Sequence, residues 1–292
     1  MGTLDGRIAI ITGAGRGIGR EHALLFASEG AKVVINDLGG ALDGSGDDRS
    51  AAQQVADEII AMGGEAVANT DDITSWEGGK RLVDTALEAF GDLHVLVNNA
   101  GILRDRVHIN MTESDWDAVI AVHLKGHFVP TRHAAAYWRE QTKAGAEVKA
   151  SVINTSSTSG LLGNPGQSNY GAAKAGIAAF SIILAAELSR YGVRVNSIAP
   201  NARTRMTVET PGLADIVQAP SDASVFDAWD PANISPLVAY LATENCPATG
   251  QCYYILGGQV RLFQPWTLTE TIEKDGRWTV EELQAEMSKL GG

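Results

Sequence analysis

The segment that most restricts the possible folds is Thr12-Gly13-Ala14-Gly15-Arg16-Gly17-Ile18-Gly19. It stands between a short apolar run at 7–11 and a helical pattern at 17–29. A strand turning sharply into a helix brings backbone N–H groups and a helix N-terminus to one point, which suits a pyrophosphate. A Cβ there would obstruct either the turn or the close approach, so glycine is required. The flanking strand and helix supply the context that a bare glycine string lacks. The rest of the chain repeats the alternation. Short β-branched runs at 32–37, 65–69, 93–98, 148–155, 194–199 and 253–256 are separated by helical patterns at 50–62, 76–90, 113–143, 169–191 and 236–243. Repeated βαβ units predict an α/β fold, a doubly wound, Rossmann-like parallel sheet of seven strands with helices on both faces.

Residues 202–231 hold three prolines and no sustained periodicity, and are read as a mobile lid. No internal repeat or linker divides the chain. One domain is expected over 1–258. A C-terminal extension, 259–292, carries one helix at 279–290 and is expected to pack on the same domain or on a neighbouring subunit.

Composition narrows the partners. A formal net charge of −12 argues against nucleic acid, which needs a concentrated basic face. The two cysteines, Cys246 and Cys252, make no disulfide framework and match no zinc spacing, so no metal is expected and a reducing cytoplasm is. Residues 1–6 carry no basic and apolar signal pattern, and Gly6 fails the myristoylation requirement. Ser288-Lys289-Leu290 spells a peroxisomal address but is followed by Gly291 and Gly292. The longest apolar stretch, 175–188, is broken by Ser181 and reads as too short to span a bilayer, so no membrane partner is expected.

Asp37 closes the second strand about 20 residues past the glycine loop, where an acid accepts hydrogen bonds from the adenosine ribose. A 2′-phosphate would meet that carboxylate at close range, which favours NAD over NADP. The alternative for Asp37 is a plain turn residue before Leu38-Gly39-Gly40.

A second constellation lies further on. Tyr170 and Lys174 stand four apart on a predicted helix and share one face, and Ser157 lies thirteen residues before Tyr170, at a strand end. Carbonyl reduction needs a proton at oxygen as hydride reaches carbon, and alcohol oxidation needs the reverse. A phenol with a pKa of about 10 is a poor base near neutrality. An adjacent ammonium and a nicotinamide cation favour the phenolate, so the pKa of Tyr170 is expected to fall. Tyr170 is then the general acid and base. Lys174 tunes it and holds the nicotinamide ribose, while Ser157 donates to the substrate oxygen. Ser156 is the neighbouring candidate, one residue off the spacing.

The pattern T-G-x-x-x-G-I-G, the run Asn98-Asn99-Ala100-Gly101 and the Ser157/Tyr170/Lys174 set together resemble the short-chain dehydrogenase/reductase family. The resemblance implies that Gly13, Gly15, Arg16, Gly17, Ile18 and Gly19 border the cofactor. It also implies that Asp72-Ile73 meet the adenine, that Asn99, Ala100 and Gly101 border the adenosine, and that Asn98 ties the sheet. Ile198 is expected to offer its backbone to the nicotinamide carboxamide. Arg16 is a counter-signal, since a basic residue there often accompanies NADP in the family.

The chain departs from the family in two places. His123 stands where many members have the Asn of a proton relay, leaving a structural or a proton role open, and Pro200-Asn201 replaces the usual P-G. Both departures, with Asn36 to Gly40, Asn98 to Arg106, Val122-His123-Leu124, Gly163-Asn164, Gly166-Gln167 and Ala199 to Ala202, resemble one branch of the family. That branch is the (3R)-hydroxyacyl-CoA dehydrogenase domain of the peroxisomal multifunctional enzyme, also called type 4 17β-hydroxysteroid dehydrogenase. The likeness covers most of residues 3–260 and weakens in the lid and tail. It implies NAD-linked interconversion of a secondary alcohol and a ketone on a lipid-like small molecule, by a homodimer or homotetramer whose 169–191 helix contributes to an interface. Arg203 and Arg205 either meet the phosphates of a CoA thioester or are solvated. A hydroxysteroid or other lipid-alcohol dehydrogenase in sterol degradation and a non-catalytic NAD-binding sensor or scaffold are the alternatives. Enoyl reductases of the family space Tyr and Lys more widely.

Overall fold

The five residues of β1 (Ile8–Thr12) are all buried, because helices cover both faces of the sheet at its centre. Ala9 and Ile11 enter one apolar cluster and Ile8 and Ile10 the other, the period-two alternation of a strand with no solvent face. Each such aliphatic side chain contributes roughly 1.5–3 kcal/mol of burial. The computed structural model describes residues 2–46, 48, 50–208, 214–222 and 224–290.

The elements follow in order α1 (Gly17–Ser28), β2 (Lys32–Asn36), α2 (Ser50–Ala61), β3 (Glu65–Asn69), α3 (Trp76–Phe90), β4 (Val95–Asn98) and α4 (Glu113–Ile120). A π-helical turn, Ala121–Lys125, joins α4 to α5 (Gly126–Lys143). Then come β5 (Ala150–Thr155), α6 (Thr158–Leu161), α7 (Ser168–Leu188), β6 (Val193–Asn201), α8 (Arg205–Val208), α9 (Ser235–Ala242), β7 (Cys252–Leu256), β8 (Gln259–Leu262) and α10 (Val280–Glu286). The sheet order is β3-β2-β1-β4-β5-β6-β7-β8. Strands β1 to β7 are parallel and β8 is antiparallel to β7.

The sheet therefore has eight strands, one more than the sequence predicted. Strand β8 was hidden in the expected extension because all four residues are exposed, so no buried face patterned them. The compact unit accordingly runs over Met1–Leu262, and Phe263–Gly292 forms a second unit. In that second unit a Thr279/Glu282 capping box starts α10. Helix α7 lies where the pattern at 169–191 predicts it, and differs from expectation only in the length of its apolar stretch. With the turn after it, Ser168–Tyr191 spans 24 residues and contains an 18-residue window of mean hydropathy 1.5, long and apolar enough to cross a membrane, where the sequence showed a shorter apolar stretch at 175–188. One side of it is core: Asn169, Lys174, Ile177 and Ser181 are buried. The predicted lid contains α8, and its residues 209–213 and 223 lie outside the described residues. Arg203 spans this segment, pairing with Asp227 and donating to the Val217 carbonyl at 3.0 Å. Its guanidinium, still partly exposed, is thus already paired with a carboxylate.

Local chemistry sets the boundaries. Ser75 caps α3 by accepting from the Gly78 N–H, and Gly91 ends it in the left-handed region at φ 87°. The register aligns polar residues where strands end: Thr12 beside Asn36, Asn36 beside Asn69, and Asn98 beside Asn154. Asn98 Nδ2 donates to Asn154 Oδ1 and to Thr131 Oγ1, both at 2.9 Å, and Asn154 Nδ2 donates to Ser181 Oγ. This buried chain clamps β4 to β5, α5 and α7. Chain order reverses between β1 and β4, and at such a switch point the loops diverge and open a crevice.

Asn154→Ala should cost about 2–4 kcal/mol, because it leaves buried amide and hydroxyl groups unpaired as well as a cavity. A denaturant melt with a loss under 0.5 kcal/mol would show that the clamp is dispensable.

Candidate active site

A cavity of about 860 Å³ opens over the carboxyl ends of the strands, lined by the glycine loop at one end and by Ser157, Tyr170 and Lys174 at the other. Gly13 has φ 64°, and a Cβ on it would sit 2.6 Å from Ala100 Cα, so strand end and loop touch through bare backbone. A Cβ on Gly19 would lie 2.2 Å from the Gly13 carbonyl oxygen. Asn99 Nδ2 donates to the Thr12 and Gly13 carbonyls at 3.1 and 3.2 Å, and Thr12 Oγ1 accepts from the Asn99 and Ala100 N–H groups. Asn99 and Ala100 therefore support the loop as well as border the cavity.

Asp37 lies just past β2. Its carboxylate accepts from the Gly15 N–H at 2.8 Å and the Gly39 N–H at 2.7 Å, so it is a turn former that also lines the cavity. Arg16 is held by Asp48 at 2.6 Å, a partner that sequence reasoning missed. Asp72 closes a turn onto Thr74, and Ile73 is buried against Gly126, both still at the cavity wall. Gly17, Ile18 and Gly101 line it too, whereas Gly15 and Gly19 shape the turn from behind.

Ile198 is a correction. It is fully buried inside β6, and its carbonyl accepts from the Ser156 N–H at 2.7 Å. Strand β6 continues to Asn201, past the predicted end at 199, so backbone freed from the ladder begins further on. Pro200, Asn201 and Ala202 line the cavity in its place.

At the other end Ser156 and Ser157 separate cleanly. Ser156 Oγ is spent on the Lys174 carbonyl at 2.7 Å. Ser157 caps α6 by accepting from the Ser159 N–H, and it lies near enough to the Tyr170 phenol to favour its ionised form. Lys174 is almost wholly buried, its Nζ donating to the Thr155 carbonyl at 2.5 Å and lying 5.4 Å from the Tyr170 ring centre. Burial penalises both charged forms. It pushes the Lys174 ammonium down to about 7 and the Tyr170 phenol up to about 12. The nearby Ser157 hydroxyl opposes the rise at Tyr170, and the carboxylate of Asp105 adds to it. The direction in the protein alone is thus opposite to the fall expected beside a charged amine and a nicotinamide cation, because desolvation outweighs the interaction with Ser157.

His123 sits in the π-helical turn, a distortion often found at functional sites. Its ring stands edge-on to Tyr170, 5.0 Å between centres, and its Nε2 is 2.8 Å from the Ile102 carbonyl. Its Nδ1 is buried without a partner. Burial and the nearby Lys174 hold its pKa well below the usual value, so the imidazole is neutral. A Cβ on Gly101 would lie 2.4 Å from His123 Cε1, which explains that glycine.

Asn164, Gln167 and Asp105 entered the sequence reading only within strings that resemble one branch of the family, with no place in the site. Asn164 Nδ2 donates to Gln167 Oε1 at 2.8 Å, and Gln167 Nε2 donates to Asp105 Oδ2 at 2.7 Å. Asp105 and Gln167 are separated by 62 residues, and nothing local in the chain announces the pairing. Among the described residues no cluster of His, Cys, Asp and Glu is built to hold a metal.

Comparison with known proteins identifies the family. The family model described as "short chain dehydrogenase" matches residues 7–212. The chain is 43% identical over 290 residues to the hydroxyacyl-CoA dehydrogenase ChsB1 of Mycobacterium tuberculosis, covering 97% of this chain and 87% of that protein. It is 46% identical over 246 residues to the peroxisomal multifunctional enzyme type 2 of Drosophila melanogaster, covering 84% of this chain but 38% of that longer protein. The crystal structure of a short chain dehydrogenase from Mycobacterium avium superposes with a TM-score of 0.87 at 51% identity, covering 99% and 96% of the two chains.

Lys174→Met should raise the melting temperature of the cofactor-free protein at pH 6, where the buried ammonium is charged in the folded and unfolded states alike. Each pKa unit of depression costs about 1.4 kcal/mol there. The advantage should fade as pH rises from about 7 toward the ordinary lysine range, where both states become neutral. Thermal melts with no gain at pH 6 would contradict the assigned burial cost.

Proposed function

The chain belongs to the short-chain dehydrogenase family, and from that premise we propose that it is an NAD-dependent oxidoreductase interconverting 3-hydroxyacyl and 3-oxoacyl thioesters. The observation that carries this reading is the convergence of Ser157, Tyr170 and Lys174 on one cavity with the glycine loop and Asp37. The glycine cradle, in which a Cβ on Gly13 would collide with Ala100, fits a dinucleotide pyrophosphate. NAD, when bound, supplies the hydride acceptor for the alcohol carbon. Ser157 Oγ donates to the substrate oxygen, and Tyr170 Oη takes that oxygen's proton in oxidation and returns it in reduction. Lys174 holds the nicotinamide ribose. Its ammonium would favour the phenolate that burial alone disfavours, with the positive charge that NAD would supply adding to the effect.

NAD rather than NADP is supported by Asp37 on the cavity wall and by Arg16, whose guanidinium is already neutralised by Asp48. Thioester substrates are supported by the relatives named hydroxyacyl-CoA dehydrogenase and multifunctional enzyme. The working unit is proposed as a cytoplasmic homodimer or homotetramer, with Met1–Leu262 as the catalytic domain and Phe263–Gly292 as a C-terminal extension.

The test is NADH formation with a panel of 3-hydroxyacyl-CoAs and hydroxysteroids, repeated with NADP. Oxidation of steroids alone would replace the thioester reading with the hydroxysteroid one. Tyr170→Phe should lower kcat by about 10²–10⁴ while leaving NAD affinity within a few-fold. Retained turnover in that variant would remove Tyr170 from the chemistry, and full biological activity without turnover would favour a sensor. Asp37→Ala should erode the preference for NAD over NADP by about tenfold, as seen in the ratio of kcat/KM values.

Oxidation should also accelerate as pH rises above neutrality, because the base form of Tyr170 is the reactive one and burial raises its pKa. The reverse reaction should accelerate as pH falls. A flat oxidation profile between pH 6 and 10, with chemistry rate-limiting, would exclude a buried phenol as the base.

A further inference from the structure

The loop after β4 is stitched to the start of α7, immediately before Tyr170. The Arg106 N–H donates to the Gly166 carbonyl at 2.9 Å, Arg106 and Gln167 form a β-bridge, and Asn169 Nδ2 donates to the Arg104 carbonyl at 3.1 Å. At the centre of this seam the Asp105 carboxylate is half-buried. One oxygen accepts from Gln167, and the other is buried without a partner.

Removing a carboxylate from water to make a single hydrogen bond is costly, and the fold gains nothing that a neutral residue would not supply. The arrangement does fix one thing. Gln167 is an amide whose two ends are chemically opposite, and here both ends are spoken for. Its oxygen accepts from Asn164 and its nitrogen donates to Asp105. A reversed amide would set oxygen against carboxylate and nitrogen against nitrogen. Gln167 lines the cavity three residues before Tyr170, and its amide has one N–H beyond the one given to Asp105.

We propose that Asp105 is a positioning residue for the substrate, holding the Gln167 amide so that its remaining N–H is given to the thioester carbonyl of a 3-hydroxyacyl chain. This rests on the thioester reading of the site. Such a substrate carries two oxygens on carbons one apart. Ser157 and Tyr170 take the reacting oxygen at C3, and a donor held beside Tyr170 is needed for the oxygen at C1. A simple secondary alcohol has no second oxygen for Gln167 to bind, so the amide discriminates between the two.

The same carboxylate acts on the phenol through its field. Tyr170 is faced by Ser157 from the start of α6, by neutral His123 from the π-helical turn, by Lys174 from α7 and by Asp105 from the loop after β4. Asp105 in turn has Arg106 and Gln167 about it. Of the groups around Tyr170, Asp105 is the one whose negative charge opposes formation of the phenolate.

The experiment compares wild type, Asp105→Asn and Gln167→Met on a 3-hydroxyacyl-CoA and on a secondary alcohol of equal chain length lacking the C1 carbonyl. For Gln167→Met the KM ratio of thioester to alcohol should rise about tenfold, the worth of one good hydrogen bond. Asp105→Asn should shift the ratio the same way by about threefold, since an asparagine oxygen still accepts from the amide but no longer dictates its orientation. It should also move the alkaline limb of oxidation kcat to lower pH, because the charge opposing the phenolate is gone. Equal losses on both substrates in both variants, or an unmoved pH limb, would overturn the role of Asp105 while the thioester reading stood. Failure of the wild type to oxidise any 3-hydroxyacyl-CoA would overturn the thioester reading and the proposed partner of Gln167 with it.

Discussion

An ammonium with almost no solvent, held by one backbone carbonyl, is the constraint on which the active-site end of this molecule depends. Lys174 Nζ reaches the Thr155 carbonyl at the carboxyl end of β5, and Ser156 Oγ reaches back to the Lys174 carbonyl. The two bonds lock α7 to the strand from opposite directions. Ser157 is thereby set against the phenol of Tyr170, one turn away on the same helix face. Stability alone would not choose a lysine for such a place, since its charged form is penalised by burial. Its retention is intelligible if a bound dinucleotide supplies the ribose hydroxyls that the protein does not.

The nucleotide end rests on a different constraint, the contact of backbone with backbone. Gly13 against Ala100 and Gly19 against the Gly13 carbonyl leave no room for a side chain. Thr12, Asn36, Asn98 and Asn99 tie the strand ends together beneath this contact. The two ends of the cavity are thus built from one row of polar strand termini, and on the proposed reading the dinucleotide spans between them. His123 belongs to the same frame. It binds Ile102, rests its ring edge on Tyr170 and fills the space that Gly101 leaves open.

Much of this was legible along the chain because the signals are local. The glycine loop, the strand spacing and the four-residue separation of Tyr170 and Lys174 concern residues whose relative placement is set by a single turn or helix. Helix α3 and strand β3 lie where hydrophobic period and caps predict them. Strand β8 escaped because exposure erased its pattern, and Ile198 was misplaced because β6 runs two residues longer than its β-branched core. The choice between Ser156 and Ser157 rested on spacing, and the structure adds the partner that distinguishes them.

What the chain by itself determined is the seven parallel strands with their main helices, the family and the Ser157, Tyr170, Lys174 and glycine-loop groups that line one cavity, since these follow from periodicity, glycine placement and helix geometry. Only the tertiary structure decided their energetics and second partners. Asp105 reaches Gln167 across 62 residues, Asp48 takes Arg16, and Asp227 takes Arg203. Desolvation, which no sequence window contains, raises the Tyr170 pKa that a neighbouring ammonium and a bound nicotinamide cation were expected to lower. Burial and long-range pairing depend on which surfaces meet, and the sheet order that brings those surfaces together exists only in the folded molecule.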